Sequence, residues 1–122
     1  MIEIKTSDKS SCEALKKAFW ACPDDHQIMI GEIAAGRVSI YRVFDTSHDV
    51  LIAGEVVGDA YFIWGAAGRG LVPALIEFKK YVRGAGLEKM TGITYFPAVA
   101  RLCKKIGEIE KGTVSHITVG VD

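Results

Sequence analysis

The sequence contains few of the features that would assign it to a specialised class. Its three cysteines, Cys12, Cys22 and Cys103, are odd in number and lack Cys-x-x-Cys spacing. We therefore expect neither a disulfide framework nor a structural zinc site, and a reducing cytoplasm is the simplest location. The three histidines lie far apart and show no ligand spacing, so we predict no metal.

Long apolar runs and an excess of one charge are also missing. No stretch is long enough to span a membrane, and the first residues lack the apolar core of a signal peptide, so we expect no membrane partner. Fifteen basic residues balance fifteen acidic ones, which leaves no overall field to attract nucleic acid. The sequence therefore predicts neither a nucleic-acid-binding protein nor a membrane protein.

The composition is typical of a globular domain, with 49% hydrophobic and 25% charged residues among 122. We predict a single domain over residues 1–122, as a monomer or homodimer. Apolar periodicity predicts helices that start near residues 10, 24, 71 and 97, and strands over residues 2–5, 37–44, 50–57, 60–64, 91–95 and 113–121. This order predicts a mixed α+β fold, in which helices cover both faces of a central mixed β-sheet.

A glycine-rich stretch follows the apolar strand at residues 60–64. It reads Gly-Ala-Ala-Gly-Arg-Gly over residues 65–70 and leads directly into a helix. Such a junction leaves the first helical N–H groups unpaired, and glycines at 68 and 70 would let a phosphate approach the backbone. The stretch is neither a P-loop nor a Gly-x-Gly-x-x-Gly fingerprint. It predicts an anion-binding loop of another kind, with a plain tight turn as the alternative.

The stretch resembles motif A of the GNAT superfamily of N-acetyltransferases, Gln/Arg-x-x-Gly-x-Gly/Ala. Gly68 and Gly70 occupy its two glycine positions, and Gly65 stands where Gln or Arg is usual. Residues 96–108 resemble a second family segment, Asn-Pro-x-Ala-x-x-Leu-Tyr-x-Lys-x-Gly-Phe. The matching residues are Pro97, Ala100, Leu102, Lys105 and Gly107, and the departures are Phe96 for Asn, Cys103 for Tyr and Glu108 for Phe.

The resemblance implies a GNAT-like fold that binds acetyl-coenzyme A as a co-substrate. Its pyrophosphate would lie on the loop and helix start, and its pantetheine arm would follow strand 60–64, where that strand splays from strand 91–95. The implied cofactor-binding residues are Ile63, Trp64, Gly65, Gly68, Arg69, Gly70 and Leu71. The acceptor would be the amine of a small molecule or protein.

The resemblance also implies an acid for the departing thiolate and a base for the attacking amine. Cys103 stands at the usual tyrosine position, and a thiol can donate a proton to a thiolate. Buried cysteine on an apolar helix face is more often part of a core, so Tyr95 is the second candidate acid. Glu55 is the candidate base, with Asp59 as its alternative.

A second function fits the same resemblance. The lost tyrosine, asparagine and Gln/Arg are also what a GNAT-like protein without transfer activity would show, used for binding or as a structural part. Short GNAT-like proteins of tailed bacteriophages have a similar Lys-x-Ile-Gly ending to the last helix, and such an origin would place the chain in a virion. The retained glycines favour the enzyme.

Overall fold

The chain folds around one seven-stranded sheet, with strand order β1-β2-β3-β4-β5-β7-β6. The structure is a computed structural model that describes residues 1–94, 97–110 and 115–122. The strands are β1 (Ile2–Ile4), β2 (Ser39–Phe44), β3 (Asp49–Val57), β4 (Ala60–Arg69), β5 (Lys89–Thr94), β6 (Glu108–Glu110) and β7 (Ser115–Gly120). The helices are α1 (Lys9–Ala14), α2 (Pro23–Ala34), α3 (Leu71–Gly84) and α4 (Pro97–Cys103).

Helices cover both faces of the sheet, as predicted. Ile52 and Ala53 are neighbours on β3 and both fully buried, yet they belong to different hydrophobic clusters, because successive strand residues point to opposite faces. The cluster around Ile52 includes Phe78 of α3 and Cys103 of α4. The cluster around Ala53 includes Met29 of α2. The mixed α+β prediction is confirmed.

Two elements differ from the prediction. The first helix was expected as one element, but α1 ends at Ala14 and is followed by a 3-10 segment, Leu15–Phe19, whose Leu15 and Phe19 are buried against the sheet. The short strand β6 was not predicted; it pairs antiparallel with β7, and Ile109 lies opposite Ile117. One apolar residue between two glutamates is too short a pattern to indicate a strand.

The glycine-rich stretch is the main correction. Residues 65–69 are not a loop, since β4 continues to Arg69 and Gly68 pairs with Val50 of β3. Gly68 has φ +140°, and a Cβ there would lie 2.1 Å from the carbonyl oxygen of Asp49. Gly70 has φ +75° and would place a Cβ 2.7 Å from the carbonyl oxygen of Ser47. The absence of a side chain at these two positions therefore lets the backbone of β3 and of the turn before it lie close to residues 68 and 70. This packing requirement holds whether or not an anion also binds.

We predict that Gly68→Ala lowers the stability of the fold. The strained backbone costs about 1–3 kcal/mol, before any overlap with Asp49 is counted. Thermal unfolding followed by circular dichroism should show a melting temperature several degrees lower. The control is Gly84→Ala, because a Cβ at this last residue of α3 meets nothing within 4 Å. Equal melting temperatures for the two variants would contradict the assignment of residue 68 to a tightly packed strand.

Candidate functional site

The sheet opens between its two parallel strands. β4 and β5 are paired from Ala60 and Lys89 up to Ile63 and Gly92, and no further pairing between them follows within the described residues. Beyond Ile63, β4 continues to Arg69 while β5 continues only to Thr94. The expected splaying of these strands is confirmed.

A β-bulge lies at the point of separation. On β3, Ala53 faces Gly65 and Gly54 faces Ile63, so Trp64 is an extra residue on β4. A bulge bends its strand and increases the local twist. It therefore turns the second half of β4 away from β5, although that half stays paired to β3.

The gap between β4 and β5 forms a cleft with a volume of about 410 Å³. One wall comes from the 3-10 segment and α2, including Phe19, Cys22 and Ile28, and the other from α3 and α4, including Leu75 and Val99. The lining is mostly apolar, and its volume is within the range of sites that hold small ligands, about 300–1,000 Å³. The cleft thus passes from one face of the sheet to the other.

Four of the seven candidate cofactor residues line this cleft, namely Ile63, Trp64, Gly65 and Leu71. Gly68, Arg69 and Gly70 are not among its lining residues. Gly70 is the N-cap residue of α3, and no side chain caps that end of the helix. Because Leu71 is the first residue of α3 and lines the cleft, the start of this helix lies at the cleft edge.

Of the candidate catalytic residues that the structure describes, only Cys103 lines the cleft. Cys103 lines the cleft and is 2% exposed, and burial raises the pKa of its thiol. Glu55 is not among the lining residues, but its Oε1 accepts a hydrogen bond from Nε1 of Trp64 at 3.1 Å. Asp59 lies in the turn between β3 and β4, 3.8 Å from Nζ of Lys89. Tyr95 lies outside the described residues.

Sequence reasoning missed Asp25, which lines the cleft from the first turn of α2. Asp24 and Asp25 both read as acidic residues at a helix start, where the helix dipole favours them. Only the packing of α2 against the sheet distinguishes them, since Asp24 is exposed and is not among the lining residues. No local signal in the sequence could have selected Asp25.

A second cluster, Asp45, His48 and Glu77, holds the start of α3 in place. Its potential ligand atoms lie within 4.8 Å of one another, although sequence spacing gave no sign of such a group. His48 is 2% exposed; its Nε2 lies 2.8 Å from Oε1 of Glu77 and its Nδ1 lies 2.8 Å from Oγ of Ser47. Because both ring nitrogens are engaged, the imidazole joins the β2–β3 turn to α3, beside Gly70.

The pKa of Glu77 carries a pH prediction. Burial raises this pKa, but hydrogen bonds from the amino group of Met1 and from His48 outweigh it, so the net shift is downward. A lowered folded-state pKa gives stability that is present above the unfolded value of about 4.3 and lost as pH falls through the folded value. Glu77→Gln should lower the free energy of unfolding at pH 7 by about 1 kcal/mol, and the difference should shrink below pH 4.

Chemical denaturation at pH 7 and below pH 4 would measure this difference. Glu88→Gln is the control, because this substitution removes the same charge at an exposed position outside the cluster. A Glu77→Gln effect that stays constant across this pH range would show that the carboxylate charge does not stabilise the cluster.

Comparison with solved structures identifies the fold. A protein from Desulfovibrio desulfuricans, described as an acetyltransferase of the GNAT family, superimposes with TM-score 0.65 at 10% identity. The match covers 100% of this chain and 99% of that one. A Klebsiella pneumoniae protein assigned as an acyl-CoA N-acyltransferase gives TM-score 0.67 at 9% identity, covering 100% and 97%. The ribosomal-protein-S18-alanine N-acetyltransferase of Escherichia coli gives TM-score 0.61 at 14% identity, covering 100% and 95%.

Sequence comparison adds nothing to this likeness. No family model and no curated protein matches the chain. At such low identities the similarity is one of fold, and it extends over the whole chain. The chain has the GNAT acetyltransferase fold. None of the helices within the described residues is long and apolar enough to cross a membrane.

Proposed function

We propose that this protein transfers an acetyl group from acetyl-coenzyme A to an amine. The observation that carries the proposal is the apolar cleft where β4 separates from β5, in a chain with the GNAT fold. A thioester with a long, amide-containing arm needs a deep slot with a strand edge on one side, and this cleft offers both. An amine acceptor is in keeping with the E. coli protein above, which is named for acting on an alanine of a ribosomal protein.

The exposed edge of β4 suits the pantetheine arm. Beyond Ile63, no described strand pairs with β4 on its β5 side, so its N–H and C=O groups there need partners. The amides of pantetheine can add to such an edge as an extra strand does. Ile63, Trp64, Gly65 and Ala66 line the cleft along this edge, and the backbone of the first three would position the thioester.

The uncapped start of α3 suits the pyrophosphate. An anion at a helix N-terminus gains about 0.3–1 kcal/mol from the dipole, and hydrogen bonds to a charged group add about 1.5–3 kcal/mol each. The N–H groups at Gly70 and Leu71 would supply such bonds, and exposed Arg69 would add a charge. Gly68 would support this end indirectly, by letting β4 lie against Asp49.

The reaction is a direct acyl transfer. The neutral amine attacks the thioester carbonyl, the C–S bond breaks, the nitrogen loses a proton and the coenzyme A thiolate gains one. N–H groups near the bulge at Trp64 would stabilise the oxyanion. Glu55 stays the candidate base, because its carboxylate bonds directly to Trp64 in the cleft wall.

The acid is better assigned to Tyr95 than to Cys103. Cys103 is 2% exposed and belongs to the hydrophobic cluster around Ile52, so packing alone accounts for this side chain. Tyr95 follows the last residue of β5, a strand that forms one side of the cleft.

A cytoplasmic location follows as part of the proposal, because the co-substrate and free cysteines belong to a reducing compartment.

We predict that acetyl-coenzyme A binds and raises the melting temperature. A ligand at 100 times its dissociation constant adds about 2.7 kcal/mol of stability. Arg69→Ala should weaken binding by about fivefold or less, because Arg69 is exposed. Arg83→Ala is the matched control, since Arg83 is exposed in the last turn of α3. The absence of any heat of binding in calorimetry with millimolar acetyl-coenzyme A would contradict the proposed function. Binding without turnover would instead identify the non-catalytic alternative.

We also predict that the two candidate acids differ. Tyr95→Phe should lower kcat by about 10²–10⁴-fold if its hydroxyl donates the proton. Cys103→Ala should leave kcat within about threefold, because Cys103 belongs to the buried hydrophobic cluster and the proton donor is assigned to Tyr95. Steady-state turnover of both variants, each with its melting temperature recorded, makes the comparison. The reverse order of effects would assign the acid to Cys103.

A further inference from the structure

The wall of the cleft formed by the 3-10 segment and α2 carries one charged side chain among its described residues, that of Asp25. Among the described residues that line the cleft, Asp25 is the only one with a charged side chain. It lies on the wall formed by the 3-10 segment and α2, where its neighbours in the lining include Phe19 and Ile28. A half-buried carboxylate attracts a cation more strongly than one in bulk water, because its surroundings screen the charge less.

The carboxylate of Asp25 has no partner in the described part of the chain. Its backbone N–H donates to the carbonyl oxygen of Cys22 at 3.0 Å, but no described hydrogen bond or ion pair reaches its side chain. Other acidic side chains near β4 are engaged, as Glu55 is with Trp64 and Asp49 with Arg42. Asp25 is half-buried, so its charge is partly removed from solvent without compensation.

We infer that Asp25 binds the amino group of the acceptor, and that the acceptor is a monoamine carried on an apolar body. The inference deepens the proposed function and rests on it. The carboxylate would hold the ammonium form that prevails near neutral pH, and it would still accept an N–H bond from the neutral amine that attacks the thioester. Asp25 thus selects and orients the acceptor.

The apolar body follows from what surrounds Asp25. Ile28 lines the same cleft and is 51% exposed, so a bound apolar group would cover a large side chain that now faces solvent. A polyamine would bring further charges into the cleft, and the described lining offers no second carboxylate to pair with them. Charges left unpaired in apolar surroundings are costly, so a polycation is disfavoured.

Titration of the protein with 2-phenylethylamine and with 2-phenylethanol tests the inference. The two compounds share an apolar body and differ in the cationic group, so their affinity ratio reports on the charge alone. Two-dimensional NMR of the amides in residues 18–28 measures weak binding without any need for turnover. We expect the wild-type protein to prefer the amine by about tenfold or more.

Asp25→Asn should bring the affinity ratio close to one, while Asp24→Asn should leave it unchanged. The two substitutions remove the same charge from the same helical turn, and only Asp25 lines the cleft. A purely structural role at the start of α2 would affect both variants alike. Equal ratios in wild type and Asp25→Asn, or no binding of the amine at tens of millimolar, would overturn the inference.

Two further ligands define the acceptor. Spermidine binding more tightly than 2-phenylethylamine would overturn the monoamine assignment. A dipeptide amide that begins with phenylalanine distinguishes a peptide amino terminus from a small free amine, according to which of the two binds more tightly. Acetyl-coenzyme A binding is measured separately, so failure of the proposed transfer reaction is distinguishable from failure of this assignment.

Discussion

The separation of β4 from β5 is the constraint on which the rest of the site depends. β4 stays paired to β3 on both sides of the bulge at Trp64, and β5 stays paired to β7 over all of its residues. With both outer sides satisfied, the sheet can open only between these two strands, and the bulge at Trp64 supplies the bend that opens it. The cleft is therefore a gap through the sheet, lined from both of its faces.

A gap of this kind combines chemistry that a surface groove rarely offers. It exposes the polar edge of one strand together with apolar side chains from both hydrophobic clusters, because Leu75 belongs to one cluster and Phe19 to the other. A ligand with amides along a flexible arm can use the edge, while the apolar walls exclude water. Asp25 carries the one charged side chain among the described lining residues, and because it is half-buried, its charge is screened less than it would be in bulk solvent.

The glycines before α3 show how one residue type can serve two requirements. Gly68 and Gly70 resemble phosphate-binding positions, but in the folded chain they are the places where Asp49 and Ser47 approach β4 and α3. His48 and Glu77 then fix that approach through a buried imidazole. These contacts join α3 to the β2–β3 turn beside Gly70, at the edge of the cleft where an anion would bind the start of the helix.

The sequence by itself determined the order of elements and the mixed sheet with helices on both faces, because these follow from local periodicity and right-handed crossovers. The splaying of the parallel pair was implied only by the resemblance to the GNAT superfamily. It did not determine that β4 runs on to Arg69, since glycine and alanine give no strand signal and only the ladder with β3 reveals it. Nor could it bring His48 to Glu77 or choose Asp25 over Asp24. Those placements depend on how α2 and α3 pack on the sheet, and contacts between residues distant in sequence are decided by the tertiary structure alone.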